Sequence, residues 1–149
     1  MNSLPVDRRT NVFARGAVAT VAAAIVAVCL DAGVAAIAHA LGVSEGFDPL
    51  HFASYAGLTV VGVLVAAAAW ATIRSRSTKP RSILGRLVPI IVLVSLVPDV
   101  ILGLSKQEAH TTWGGVIALI VMHFAVAAAA VPAFVLSMPV HDKDLSSTG

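Results

Sequence analysis

The chain has 149 residues, of which 58% are hydrophobic and 12% charged, whereas a soluble domain carries about 25% charged and about 45–50% apolar residues. A water-soluble fold of this size would leave much of that apolar side chain facing water, so a bilayer is the expected solvent. The net charge is only +2, and the basic residues flank apolar runs, which excludes a nucleic-acid footprint and points to anionic lipid headgroups as their partners.

Residues 1–15 (MNSLPVDRRTNVFAR) are polar and basic and read as an arm. From Gly16 to Leu30 no charge occurs, then Asp31 intervenes, and a largely apolar run continues to Leu41. About 20 apolar residues cross a hydrocarbon core of about 30 Å, so 16–41 is a first span. Arginines, an apolar run and Ala38-His39-Ala40 also resemble a signal peptide with its cleavage site. Asp31 interrupts that pattern and the site lies far beyond the apolar core, so a retained span is expected.

The segment GVSEGFD (42–48) reads as a turn, and Asp48-Pro49 as an N-cap followed by proline at the first helical position. A second span, 49–73, holds no Asp, Glu, Lys or Arg. RSRSTKPRSILGR (74–86) is a basic loop, and Ser82 is the expected cap of a third span at 83–104 that contains Pro89, Pro98 and Asp99. After the turn SKQEAH (105–110), Thr111 or Thr112 caps a fourth span at 112–138, which Pro139 closes, leaving 139–149 as a polar tail. The runs are long, rich in Ala and Leu, and lack the alternation over about 9–11 residues that a barrel strand requires. The fold class expected is therefore all-α.

Nine of the ten basic residues fall in the arm (Arg8, Arg9, Arg15), the central loop (Arg74, Arg76, Lys79, Arg81, Arg86) and the tail (Lys143). The two other turns hold only Lys106. By the positive-inside rule both termini and the central loop are cytoplasmic, as four spans require. The expectation is an integral membrane four-helix bundle of the bacterial inner membrane, up-down-up-down and antiparallel, with consecutive helices adjacent. Trp70 and Trp113 lie near span ends and read as interfacial anchors. Runs of alanine at 22–24, 66–69 and 127–130, with Ala53-x-x-x-Gly57 and Gly114-x-x-x-Ala118, allow close helix approach. They are read first as packing within the bundle. The same faces would also serve a second copy of the chain or another membrane protein.

The residues that disagree with an apolar environment are Asp31, Asp99 and His123, with Ser95, Tyr55, His51 and His39 within or at the ends of spans. Intramembrane ionisable groups are costly, so they face the bundle interior and pair. At 1.5 Å per residue Asp31 and Asp99 lie about 24 and 20 Å beyond Arg15 and Arg86, and His123 about 16 Å beyond Thr112. All fall in the outer half of the membrane, down to its middle. Ser95 and Asp99 are four apart on one helical face, as are His51 and Tyr55. Pro98 frees a carbonyl near Val94, beside Asp99.

The expected constellation is Asp31, Asp99 and His123 facing inward with His51 and Tyr55 above, an outward-facing polar pocket that binds a small ligand or exchanges protons. The competing reading is structural: the same groups hydrogen-bond among themselves to fix helix register in an accessory subunit. A membrane enzyme acting on lipid or quinone is a third reading, without a catalytic signature. His39, His51 and His123 differ in depth by a helical turn or more, which does not suit the compact ligand geometry of zinc. Cys29 has no CxxC or Cys/His spacing around it. Neither metal nor cofactor is expected, and no phosphate loop, GxSxG or HExxH motif is present. Glu45 and Glu108 sit on outer turns and read as solvated.

At SLVPD (95–99) and MHFAVAAAAVP (122–132) the chain resembles a family of small bacterial four-helix membrane proteins that is a domain of unknown function. The basic loop before span three, the Ser-Leu-x-Pro run and the Met-His opening of the apolar run in span four carry the resemblance, from about Val12 to Met138. It implies a four-helix bundle and no established activity.

Overall fold

In a computed structural model, which describes residues 6–106, 108–140 and 142, with side chains from Ala14 onward, every long apolar run is helical. Ala, Leu and Val runs without a charge leave the backbone no competing partner, and a helix satisfies its N–H and C=O groups internally. The elements are α1 (Val6–Ala40), α2 (Phe52–Arg76), α3 (Pro80–Ser95), α4 (Val97–Ser105) and α5 (Trp113–Ser137), with a 3-10 turn at Asp48–Leu50. Four stretches are long and apolar enough to cross a membrane: Ala14–Ala40, Phe52–Arg76, Pro80–Ser105 and Trp113–Ser137. No strand occurs among the described residues.

Local chemistry sets the ends. α1 runs back through most of the expected arm, starting at Val6; the side chains of Arg8 and Arg9 lie outside the described residues. Of the expected tail, 141 and 143–149, with Lys143, lie outside the described residues. α1 stops in a Schellman motif: Gly42 takes φ +95°, its N–H bonds the His39 carbonyl at 2.9 Å, and the Val43 N–H reaches the Ala38 carbonyl at 3.0 Å. Asp48 is not a side-chain cap; it opens the 3-10 turn, and α2 begins after His51. α3 starts at Pro80, with Lys79 and not Ser82 preceding it. Thr112 does cap α5, its Oγ1 accepting from the Gly115 N–H at 3.2 Å.

The third span is two helices. Pro98 has no N–H to return to Val94, and the chain tightens at Leu96, whose N–H reaches the Leu93 carbonyl at 3.2 Å. α4 then restarts with Pro98 in its first turn.

The core is two apolar clusters. One joins Ala35 and Ala38 of α1, Val43, Phe47 and Leu50 of the connection, Tyr55 of α2, and Ala118, Leu119 and Met122 of α5. The other joins Ala23 and Ala27 of α1, Val63 and Trp70 of α2, Leu84 of α3, and Ala130 and Phe134 of α5 with Met138. α1 and α5 share the most extensive contact, and α2 packs mainly on α1. Phe47 is fully buried within what the sequence presents as a turn; a Cβ on Gly115 would come 2.7 Å from its ring. Trp70 is buried too, stacked at a tilt 5.8 Å from the Phe134 ring, and its indole N–H donates to the Met138 carbonyl at 3.1 Å. It is a packing residue rather than an interfacial anchor; Trp113 is half exposed.

Candidate functional site

Between the two apolar clusters lies a polar layer to which each spanning stretch contributes one residue: Asp31 from α1, Thr59 from α2, Asp99 from α4 and His123 from α5. Counted from the nearest helix ends at Ala40, Phe52, Ser105 and Trp113, they lie about 14, 11, 9 and 15 Å inside the bundle. The four-residue offsets on α2 and on α1 that bury apolar neighbours also bury these groups. Thr59 shares a face with Tyr55 and Val63, and Asp31 with Ala27 and Ala35.

Asp31 is completely buried. Its Oδ2 accepts a 2.6 Å hydrogen bond from Thr59 Oγ1, while its Oδ1 is buried with no partner. Asp99 is 9% exposed. Its Oδ2 lies 3.1 Å from His123 Nδ1. Nδ1 is also 2.9 Å from the Leu119 carbonyl, which can only accept, so Nδ1 carries a proton and points it there. The Asp99 contact is close in distance yet poorly aligned, and Asp99 Oδ2 is the second buried oxygen without a hydrogen-bond partner. His123 stands between the two acids, near enough to interact electrostatically with both. Its side chain is 35% exposed, against a buried Thr59, Asp31 and Asp99.

One buried acid has an oxygen without a hydrogen-bond partner, the other lies 3.1 Å from His123, and that base, within electrostatic reach of both, can hold a second proton. An isolated buried carboxylate is costly, and most buried polar atoms find partners. The arrangement is therefore chemically suited to taking up, relaying or giving up protons, or to receiving one small polar group.

The other expected site residues lie elsewhere. Tyr55 is buried above the layer, edge-on to Phe52 at 5.6 Å, within electrostatic reach of Asp31 but not bonded to it. Ser95 Oγ donates to the Val92 carbonyl at 2.7 Å, because the break at Leu96 interrupts the helical face it would share with Asp99. His51 is exposed at the end of the bundle, Nε2 2.7 Å from the Glu45 carbonyl and Nδ1 3.1 Å from Asp48 Oδ1. His39 Nδ1 donates to the Val43 carbonyl at 3.0 Å. Phe47 and Leu50 of the connection at 41–51 pack with Leu119 and Met122 of α5 at the end of the bundle where an open outward pocket is expected. Thr59 is not singled out by the sequence; its one signal is its position four residues after Tyr55. Among the described residues no three His, Cys, Asp or Glu side chains are grouped to hold a metal ion.

Fold and site together define a helical protein with four stretches suited to crossing a membrane and a buried acid–histidine layer inside the bundle. Residues 7–139 match the model of the family of unknown function DUF6069, and the chain belongs to that family. The resemblance carried by SLVPD and MHFAVAAAAVP to a family without an assigned function is met by this match. No curated protein and no solved structure matches the chain.

Proposed function

We propose that the chain is a protein of the bacterial inner membrane, with four antiparallel spans and both termini cytoplasmic, that exchanges protons or binds a small ligand at Asp31, Asp99 and His123. The orientation is supported by the basic residues, which gather where α2 ends and α3 begins. The antiparallel order is supported by the two clusters, one uniting the end of α1 with the starts of α2 and α5, the other uniting their opposite ends.

The observation that carries the site is the buried acid pair: Asp31 Oδ1 has no hydrogen-bond partner, and Asp99 Oδ2 lies 3.1 Å from His123 Nδ1, a base within electrostatic reach of both acids. Intramembrane acids that stay unsatisfied mark proton or ligand sites. Thr59 then holds the Asp31 carboxyl in one orientation, and the Leu119 carbonyl holds the His123 ring so that one nitrogen meets Asp99.

The test is the carboxyl stretch in infrared difference spectra of the protein in lipid vesicles, with Asp31→Asn and Asp99→Asn assigning the bands. Bands that change reversibly with pH and exchange promptly with deuterium are expected. Bands indifferent to pH and slow to exchange would overturn the site in favour of helix cross-linking. That second reading is supported by the geometry too, since Thr59–Asp31 ties α2 to α1 and Asp99–His123 ties α4 to α5.

A further inference from the structure

We propose that the polar layer opens sideways, to the hydrocarbon, at His123 Nε2, and that it takes there the hydroxyl of a membrane-soluble molecule such as a long-chain phenol or alcohol. The proposal rests on the membrane reading above and adds to it a route and a ligand class.

The route follows from what covers each member of the layer. Toward the connection at 41–51 the layer is sealed by Phe47, Leu50, Leu119 and Met122. At that same end α4 closes on α5: a Cβ on Gly103 would meet Trp113 and Val116 at 3.1 Å. In the other direction Ala27, Val63 and Phe134 pack together, the last two at most 1% exposed. Asp31, Thr59 and Asp99 are buried. His123 alone of the four is accessible, and it sits on α5 with Ile120 and Ala127, three and four residues away on the same side of the helix and both partly exposed. That exposed face lies on a stretch suited to crossing a membrane, about 15 Å from the helix start. The layer therefore meets its surroundings through the flank of the bundle.

The ligand class follows from the tautomer. With the Nδ1 proton directed at Leu119 O, neutral His123 presents at Nε2 a lone pair that must accept a hydrogen bond. No residue among those described donates to it. Hydrocarbon has no donor, and leaving a polar atom unpaired there is unfavourable. A hydroxyl carried on an apolar body satisfies both demands: it donates to Nε2 while its body rests against the flank formed by Ile120 and Ala127. When His123 gains a second proton, Nε2 becomes a donor and the same hydroxyl oxygen accepts. One ligand thus suits either protonation state, and the Asp99 carboxyl on the far side of the ring is coupled to the change.

The experiment uses the full chain in phosphatidylcholine vesicles, with the other four of its five histidines replaced by Gln so that nitrogen-15 imidazole NMR reads His123. The unsubstituted protein, measured in parallel, is the control for folding. A nitroxide on the lipid acyl chain is expected to abolish most of the His123 Nε2 signal, and a water-soluble paramagnetic chelate to leave it intact. Added dodecylphenol is expected to shift Nε2 saturably, and dodecane to leave it unmoved. Broadening by the chelate and not by the lipid nitroxide would overturn the sideways route, yet would leave proton exchange at the acids standing. Lipid-side broadening with no response to dodecylphenol or dodecanol would overturn the ligand class. Loss of pH response in the carboxyl bands, with the NMR result as expected, would instead remove the proton reading and leave the ligand site.

Discussion

The seam between α1 and α5 and the third span are both apolar, yet they pack in opposite ways. In the first span 28% of the apolar window is buried within the protein, and in the third 11%. The seam of α1 is Gly16, Thr20, Ala23, Ala27, Asp31, Ala35 and Ala38, all buried and all small or short. Small side chains let two backbones approach closely, and in lipid that contact, rather than water, holds helices together. The third span presents Ile90, Ile91, Leu93, Val94 and Val97 outward, each at least half exposed, and is broken at Leu96. One acid sits on each region: Asp31 on the close seam, Asp99 on the loosely held helix just after the break. The two acids of the proposed site therefore stand on differently packed helices, Asp31 on the closely packed one and Asp99 on the one that buries least.

The comparison breaks most readily at Ala27, which is fully buried. Ala27→Leu forces α1 from α5 and is expected to lose about 3 kcal/mol or more, since overpacking a close contact costs about 1–3 kcal/mol even where neighbours yield. Reversible unfolding in mixed micelles measures it. A loss below about 1 kcal/mol would mean that the seam is not close-packed. Thr59→Val removes the donor to Asp31 and leaves both its oxygens unpartnered, with an expected loss of about 1–3 kcal/mol. The same assay reads it, and Thr59→Ser restoring the stability shows that the hydroxyl and not the volume is responsible. Trp70→Phe keeps the ring against Phe134 but forfeits the bond to Met138, an expected loss of about 1 kcal/mol. At the small end, Leu93→Ala faces lipid and is expected to stay within about 0.5 kcal/mol of the parent. A large loss there would show that the third span packs on something beyond this chain.

Much of the fold is legible in the sequence because solvation speaks there directly. A run without Asp, Glu, Lys or Arg from Pro49 to Ile73 has few alternatives to a spanning helix. Asp31, Asp99 and His123 stand out for the same reason, as charges in an apolar run, and the structure brings these three together. What is not legible depends on contacts between distant segments. Phe47 lies in a turn without periodicity, so nothing local announces that it fills the space over Gly115. Thr59 is an ordinary residue of an apolar helix until Asp31 meets it. Ser95 fails to join Asp99 because helical spacing presumes a continuous helix, and Pro98 ends that continuity. Trp70 reads as an anchor by its position near a span end, whereas its N–H is satisfied by the Met138 carbonyl.

The partnership of α1 with α5 also bears on how the chain is made. A chain is synthesised from its N-terminus at about 5–20 residues per second, and its segments assemble as they appear. Here the helix that emerges earliest finds its main partner in the helix that emerges last of the five. Thr59 arrives on α2 and meets Asp31 early, giving that acid a donor while the seam is still open. His123 arrives only with α5. The first span therefore waits in the bilayer, one side uncovered, until translation of the rest brings its partner into place. During that interval the small residues Ala23 and Ala27, which later face α5, are without the partner they have in the finished bundle.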